Sequence, residues 1–457
     1  MLCLTDIIRD HEPSLQPLLR AIAETPTLTA MLVAAWPLAR VLALQVVAAV
    51  LKERAGRPTS WPPCPVCGAR LESKGFVERQ VTSLFGRLRW RRRVGRCPRG
   101  CSLPAIAPLD AALGLAPYQR SSGELQALGC ALAVFVPFAT AATLLGWYSG
   151  RRVSPGAVWE WVQAAGQRAM AVLQGQLDAL AAGEMPLVEP LDAAQAAMPL
   201  VIGADGVMVP LRPVAGTPKG QTSWREVKVG ILARLGQQRT RAGQVVPRLY
   251  QRRLVAVLGT IEALKPRLWL AAVRQGITRA PRVVWLSDGA RGLWGVFEEY
   301  FIAYATGVLD FYHAAQHLWK GAAAWLDGRT TAARRWFEAA RHRLRHGPPA
   351  EVLAELAAAV EGEGLPATAR ATLLKVSAYL DQHRDHLDYA AYKALGLPLG
   401  SGMVESACKW LIQQRFKGVG MRWSETGFNH LLPLRLAWVN GAFETLFQIR
   451  LQPSPNT

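Results

Sequence analysis

The chain has 457 residues and 51% of them are apolar, which excludes a disordered chain because several hydrophobic cores can be buried. Lysine and arginine number 53 against 33 aspartate and glutamate residues, a net charge of +20 that predicts an anionic partner. Nucleic acid is the first expectation, and an acidic membrane surface is the second. Seven cysteines, four of them in two close pairs, indicate a metal site in a reducing compartment and not a disulfide framework.

The first 60 residues are predicted to form a helical segment. Leucine, alanine and valine recur at helical spacing from Leu15 to Leu51, and acidic residues near the N-terminus argue against a signal peptide. The apolar run Ala30–Leu51 is long enough to be a membrane candidate, but Pro37 and Arg40 interrupt it. The sequence therefore predicts a soluble, buried helix pair and no contact with a membrane.

Residues 61–108 carry the pattern of a zinc ribbon. Cys64-Pro-Val-Cys67 and Cys97-Pro-Arg-Gly-Cys101 are two short turns that can supply four thiolates to a tetrahedral zinc ion. With four thiolate ligands the zinc would be structural, because no position is left for a substrate. The alternative is four unrelated buried thiols.

Arginines crowd the segment between the two cysteine pairs, where Phe85-Gly86 suggests a hairpin turn. Such a charge run can be an ordinary solvated face. Because it is of one sign and is attached to a rigid ribbon, it favours contact with phosphates. The predicted DNA-binding residues of this segment are Arg89, Arg91, Arg92 and Arg93.

Residues 109–175 resemble a helix-turn-helix module. One helix follows Ser121 or Ser122, a second follows Pro137, and a third starts at Pro155 with Ser154 as its cap. Any small helical packing module would give the same pattern, so the positive charge is what favours DNA binding. The candidate contacts in the turn before the third helix are Arg151 and Arg152.

A linker over 176–197 is expected to lead into an α/β region at 198–312. Its order is three strands, a helix, a strand, a helix and a strand, which predicts a mixed sheet. Helical sequence rich in alanine, arginine and leucine follows over 313–398. A last helical set covers 399–450, and the tail 451–457 is predicted to be disordered. The fold class is thus a multidomain α/β chain in which a helical insertion interrupts the mixed sheet.

Three acidic residues stand out in the α/β region and after the helical insertion. Asp205 and Asp288 lie where apolar strands turn polar, and Glu405 lies in the first turns of a helix after Gly400-Ser401-Gly402. Each aspartate precedes glycine, so an ordinary turn explains either one alone. Together, three carboxylates on two strands and a later helix can hold two divalent cations about 3.5–4 Å apart for phosphodiester chemistry.

Five segments in this order resemble the DDE transposases of bacterial insertion sequences, in the Kra group related to the Mutator-like branch. They are GADG, WREVKVG, WLSDGARGLW, LDFYHAAQHL and GSGMVESACKWLIQQRFKGVGMRW, and the resemblance spans about residues 198–445. It implies a ribonuclease-H-like catalytic domain, an all-helical insertion, and a zinc-ribbon and helical front end that binds DNA.

The resemblance also implies functions for individual residues. Its catalytic triad falls on Asp205, Asp288 and Glu405, which would bind two Mg²⁺ or Mn²⁺ ions. Asp310 and His313 match an Asp-x-x-His element and are secondary candidates, although Asp310 could be only a strand-end cap. Further DNA contacts are expected on and after the glutamate helix, or these residues could form an ordinary basic surface: Lys409, Arg415, Lys417 and Arg422.

The expected function is a transposase that binds the terminal inverted repeats of its element, cuts DNA with divalent metal and joins the freed 3′-hydroxyl to target DNA. Its partners would be double-stranded DNA, as transposon ends and target, and further copies of the chain in a dimer or higher assembly. It would be cytoplasmic and associated with the nucleoid. The alternatives are a catalytically silent, zinc-containing DNA-binding protein or repressor derived from a transposase, and a nuclease that acts on branched DNA.

Overall fold

The computed structural model describes residues 4–213, 216, 218 and 221–449. The chain forms two compact units, one of residues 1–165 with 444–457 and the other of residues 166–443. The domain boundaries predicted within these units stay predictions. The predicted tail at 451–457 lies outside the described residues.

The first unit begins with two helices, α1 (Leu4–Ala23) and α2 (Leu28–Gly56), and Thr27 caps the second through the backbone N–H of Ala30. Helix α2 runs through Pro37 without a break. The expectation of a buried helix pair was wrong, because only Leu51 and Ala55 of α2 are buried and none of its most apolar 18-residue window is. By length and composition alone, α2 could cross a membrane.

A hairpin of β1 (Glu72–Ser83) and β2 (Gly86–Arg96) follows, and β2 packs on α2. Ser83 pairs with Gly86, so the turn is the two residues between them, close to where the sequence predicts it. Gly86 has φ +139°, which a residue with a Cβ rarely adopts. Buried Val81 and Trp90 attach the hairpin to Leu51 of α2.

Four helices follow the hairpin along the chain: α3 (Pro108–Ala112), α4 (Gly123–Phe135), α5 (Phe138–Ser149) and α6 (Pro155–Ala181). The first helix of the predicted three-helix module starts after Ser122, and the third starts at Pro155 with the Ser154 hydroxyl accepting from the backbone N–H of Ala157. Gly150, in the left-handed region at φ 62°, ends α5.

The second unit contains a five-stranded mixed sheet, which confirms the predicted fold class. After the short α7 (Ala193–Ala196), its strands and intervening helices are β3 (Leu200–Leu211), β4 (Ser223–Arg239), β5 (Val245–Leu258), α8 (Ile261–Arg274), β6 (Val283–Ser287), α9 (Arg291–Val296) and β7 (Ala305–Leu309). The strand order is β5-β4-β3-β6-β7. Strand β4 is antiparallel to both of its neighbours, whereas β3, β6 and β7 are parallel, the mixed pattern expected of a ribonuclease-H-like sheet.

Strands β3 and β6 lie inside the sheet and are apolar on both faces, which explains their continuous hydrophobic sequence. Trp285 of β6 is fully buried and stacks on Phe301, with ring centroids 5.3 Å apart. Because the burial of such side chains dominates core energetics, this cluster fixes the position of the carboxyl end of β6.

The helices after β7 are α10 (Phe311–Leu326), α11 (Thr331–His346), α12 (Pro349–Glu361), α13 (Ala367–Gln382), α14 (Tyr389–Ala394), α15 (Gly402–Ala407), α16 (Gln414–Phe416), α17 (Glu425–Val439) and α18 (Phe443–Phe447). Shorter 3₁₀ turns lie at Ile277–Arg279 and Arg384–His386. Segments of π-helix lie at Phe297–Phe301 and at Cys408–Gln413, and the latter joins α15 to α16. The predicted strand at 307–315 ends at Leu309, because Asp310 caps a helix there.

Candidate metal centre and candidate active site

The four paired cysteines form one cluster in the first unit. The Sγ atoms of Cys64, Cys67, Cys97 and Cys101 all lie within 4.8 Å of one another. A tetrahedral zinc ion with Zn–S bonds of about 2.3 Å separates its sulfur ligands by about 3.8 Å, so the cluster could bind zinc. Of the remaining cysteines, Cys130 and Cys408 are buried elsewhere and Cys3 lies outside the described residues.

The two cysteine turns have their shape because each carries a glycine in the left-handed region. Gly68 has φ 73° and donates its N–H to the carbonyl of Cys64 at 2.9 Å. Gly100 has φ 70° and donates to the carbonyl of Cys97 at 3.3 Å. Each turn thus closes its own pair of thiols, as the short spacings predict.

The arginines of the hairpin differ in their surroundings. Arg89 and Arg91 are exposed, and the guanidinium groups of Arg91 and Arg93 lie over the half-exposed ring of Phe76. Arg92 differs from these three arginines because its side chain is enclosed by the protein. Its side chain is 11% exposed, and its Nε donates to Asp110 at 3.1 Å. Because its Nη1 also donates to the carbonyls of residues 77 and 78, Arg92 ties the hairpin to α3 and the prediction that it contacts DNA is corrected.

Asp205 and Asp288 lie level with each other on neighbouring strands of the second unit. Strand β3 runs parallel to β6, with Gly203 opposite Leu286. Continuing that register by two residues places Asp205 opposite Asp288, on strands about 4.8 Å apart. The backbone N–H of Gly206 donates to Oδ1 of Asp205 at 2.6 Å, and that of Ala290 donates to Oδ1 of Asp288 at 3.1 Å. Asp288 therefore forms the local turn expected of Asp-Gly, whereas Asp205 lies within β3, paired with Val229, and the expectation of a turn there was wrong.

Glu405 reaches this edge of the sheet from α15, which packs on β3. Its side chain is exposed, whereas Cys408, one turn further along, is buried with Sγ 3.9 Å from Oδ2 of Asp205. Ser401 stands at the cap position of α15, but its side chain makes no capping hydrogen bond. Its backbone carbonyl accepts from the N–H groups of Val404 and Glu405 instead.

Burial and nearby charges act on the carboxyl group of Asp205. Burial raises the pKa of Asp205, and the charges of Asp288 and Glu405 raise it further. The Gly206 N–H and His313 act in the opposite direction. Among the described residues, the four thiols all lie within 4.8 Å of one another, whereas the three carboxylates do not form such a group. Their hard oxygen donors and mutually unfavourable charge nevertheless suit divalent cations such as Mg²⁺.

Asp310 is fully occupied by structural hydrogen bonds. It is 1% exposed, and its Oδ1 accepts from the backbone N–H groups of Tyr312 at 2.6 Å and His313 at 2.9 Å. Its Oδ2 accepts from the backbone N–H of Ser401. Asp310 therefore caps α10 and holds the turn that leads to Glu405.

The helical segment after β7 adds aromatic groups beside Asp288. The ring of Tyr379 stacks on His317, with centroids 3.8 Å apart and planes at 10°. Burial raises the pKa of Tyr379 above its ordinary value, and the charges of Asp288 and Asp310 add to the effect. A Cβ on Gly289 would lie 2.2 Å from the Tyr379 ring, so this position requires glycine.

Buried arginines support the chain after Glu405. Arg435 of α17 donates to the carbonyls of Leu411, at 2.6 Å, and Trp410, both in the π-helical segment. A π-helix leaves backbone groups out of the α-helical pattern, and Arg435 satisfies two of them. Arg415 is 2% exposed with its guanidinium 4.9 Å from the ring centroid of Trp423, so the prediction that it contacts DNA is corrected.

The remaining predicted DNA contacts have accessible side chains. Arg93 and Lys417 are half-buried, whereas the others are exposed: Arg89, Arg91, Arg151, Arg152, Lys409 and Arg422. Cys408 was not among the predicted site residues, although its thiol contacts Asp205. Its spacing of three residues from Glu405 was the available signal, because that spacing places both on one helical face.

No known protein-family model and no curated protein matches the chain. Among solved structures, the chain is similar to the Drosophila P element transposase strand transfer complex, at 9% sequence identity and a TM-score of 0.32. The match covers 74% of this chain and 96% of that chain. A TM-score below 0.5 at this identity does not establish a shared family, and the functional assignment rests on the residues themselves.

Proposed function

We propose that the chain is a DDE-type DNA transposase that cleaves DNA at the ends of its element and transfers the freed strand to a target. Three observations support this proposal: the register that puts Asp205 beside Asp288, the packing of the helix of Glu405 on β3, and the charges of Asp288 and Glu405 that help to raise the pKa of Asp205. A bound cation would offset the burial and the neighbouring negative charges that oppose ionisation of Asp205, which makes this a candidate functional site.

The carboxylates of Asp205, Asp288 and Glu405 would hold the metal. Gly206 and Cys408 orient the two oxygens of Asp205, and the turn after Asp288 is held by the Ala290 N–H. When bound, two Mg²⁺ ions would supply activation of the attacking oxygen and stabilisation of the leaving oxygen in an in-line displacement. Lys409, exposed one turn after Glu405, is placed to contact a phosphate.

The zinc ribbon and the three-helix module would bind the DNA ends. The arginines beside Phe76 and the exposed pair Arg151 and Arg152 supply positive charge on rigid elements. Phosphate contacts position a protein on DNA without reading its sequence. We therefore expect end binding to survive loss of catalysis.

The test is a nicking and strand-joining assay on the DNA that flanks the reading frame, with and without Mg²⁺. Asp205→Asn, Asp288→Asn and Glu405→Gln should each abolish cleavage while end binding stays near the wild-type value. Glu361→Gln, an exposed glutamate on α12, is the matched control and should cut normally. A fully active Glu405→Gln protein would remove the assignment.

Two other outcomes distinguish the alternatives. Binding without metal-dependent cleavage by the wild-type chain would indicate a catalytically silent DNA-binding protein. Cleavage of branched DNA without strand joining would indicate a nuclease.

A further inference from the structure

Trp224, at the start of β4, is an exposed aromatic residue with a fixed cationic neighbour. Its side chain is 52% exposed, and Nζ of Lys417 lies 5.5 Å from its ring centroid. Single exposed hydrophobic residues are common and need no explanation by themselves. An exposed indole paired with an ammonium group is more specific, because this combination binds single-stranded nucleic acid.

The loop that carries Lys417 is held firmly. Nε1 of Trp423 donates to the carbonyl of Phe416 at 3.1 Å, and the guanidinium of Arg415 lies over the same indole. The backbone of Trp423 also bonds to the end of β3, accepting from the N–H of Arg212 at 2.8 Å. Lys417 is therefore brought to Trp224 by the fold of the loop and not by a flexible side chain alone.

The charges around this pair favour an anionic ligand. No acidic residue occurs between Glu405 and Glu425 in the sequence. Two acids on the flanking elements are each paired with a base, Glu226 with Lys228 at 2.7 Å and Glu425 with Arg225 at 3.4 Å. Within the described part of the chain, Lys417 has no carboxylate within 4.0 Å, so its charge is available to a phosphate.

We propose that Trp224 and Lys417 form a nucleotide subsite in which the indole stacks on an unpaired base and the ammonium contacts a phosphate of the same DNA strand. This inference rests on the proposed function, since the subsite would bind the DNA strand that runs away from the three acids. The base must be unpaired and unstacked, because in a duplex both of its faces are covered by neighbouring bases.

The sheet register gives the position of this nucleotide. Trp224 pairs with Pro210, five residues along β3 from Asp205. At about 3.4 Å per residue the separation is about 17 Å. Because five is an odd number of residues, the side chains of Trp224 and Asp205 lie on opposite faces of the sheet, and the DNA strand must also pass around the end of the strands. The path therefore corresponds to at least about five nucleotides of stacked strand.

The experiment measures 2-aminopurine fluorescence when the full-length chain binds the DNA that flanks its reading frame. One strand is left as a short single-stranded overhang with the fluorophore at successive positions. Stacking on an indole should quench the signal most at one position, at least about five nucleotides from the cleaved phosphate. Trp224→Ala should abolish that maximum and weaken overhang binding about tenfold, whereas Trp224→Phe should keep most of both.

Two further variants separate the roles of the pair. Lys417→Gln should lower the affinity for the overhang DNA and reduce the salt dependence of binding by about one released ion. The position of maximum quenching should stay the same, because the indole is still present. Trp438→Ala, which removes a 39% exposed indole from α17, is the control and should change neither quantity.

The outcomes separate this inference from the proposed function. If the wild-type chain cuts DNA and Trp224→Ala leaves the quenching maximum unchanged, the subsite is refuted while the enzyme assignment stands. If the wild-type chain shows position-dependent quenching that needs Trp224 but never cuts, the subsite stands and the enzyme assignment fails. Equal quenching at every position would also refute the subsite.

Discussion

Replacing Asp310 tests whether this residue is a structural cap or a metal ligand. Its carboxylate accepts three backbone N–H groups, two from the first turn of α10 and one from Ser401. The residue is 1% exposed, so water cannot replace these bonds. We therefore expect substitution of Asp310 to lower the free energy of unfolding. Replacing a residue that only binds metal would leave the free energy of unfolding nearly unchanged.

The magnitude follows from the bonds that are lost. Removing the cap of α10 costs about 1–2 kcal/mol, and leaving the Ser401 N–H buried without an acceptor costs about 1–3 kcal/mol more. Asp310→Ala should thus lower the free energy of unfolding by about 2–5 kcal/mol. In a unit of this size that corresponds to a fall in Tm of roughly 5–10 °C. Asp310→Asn keeps one oxygen for the cap but turns an amide N–H toward Ser401, so about half of the loss should remain.

Thermal melts and Mg²⁺ titrations of DNA nicking are the assays, with Asp288→Asn as the comparison. Asp310→Asn should be less stable and less active at every Mg²⁺ concentration, because the turn before Glu405 is no longer held. Asp288→Asn should melt within about 2 °C of the wild-type chain yet be inactive, since its side-chain bond is a single exposed turn contact. If Asp310→Asn instead keeps its full Tm and loses all cleavage, the cap interpretation is refuted.

Three further predictions concern the zinc cluster, the hairpin and the helical insertion. The purified chain should contain one zinc ion by atomic emission, and Cys67→Ser should lose both the metal and DNA binding while Cys130→Ser keeps both. Arg92→Ala should destabilise the chain by about 1.5–3 kcal/mol in urea, because buried Asp110 loses its hydrogen-bonded arginine and keeps only Arg79, 3.8 Å away. Arg89→Ala should cost under about 0.5 kcal/mol. Burial, with a smaller contribution from His386, lowers the pKa of His383 from 6.5 to about 4. The unfolded chain therefore binds more protons than the folded chain between these two pH values. The free energy of unfolding should fall by up to about 3 kcal/mol as the pH drops from 6.5 to 4. Urea unfolding against pH measures this slope, and an unchanged slope in His383→Gln would contradict the assignment.

Local signals in the sequence predicted local structure well. The cysteine spacings, each with a nearby glycine, indicate two closed turns, and the structure has a left-handed glycine in both. Ser154 as the cap and Pro155 as the first helical residue predict where α6 begins. These features depend on a few neighbouring residues, so no knowledge of the tertiary fold is needed.

The roles of individual charged residues could not be predicted in the same way. Arg92 and Arg415 lie in basic sequence like their neighbours, yet each is enclosed by residues distant in the sequence. Asp310 meets Ser401 across 91 residues, and only the fold brings them together. The exposure of α2 could not be predicted for a similar reason. Its apolar residues indicate a helix, but they do not indicate which of its residues pack against the rest of the fold.

The central claim is that Asp205, Asp288 and Glu405 bind divalent metal together when DNA is present. Anomalous diffraction from crystals of the chain grown with its end DNA and Mn²⁺ measures this directly. We predict manganese peaks within coordination distance of all three carboxylates. Clear DNA density in the site with no manganese at these side chains would contradict the account.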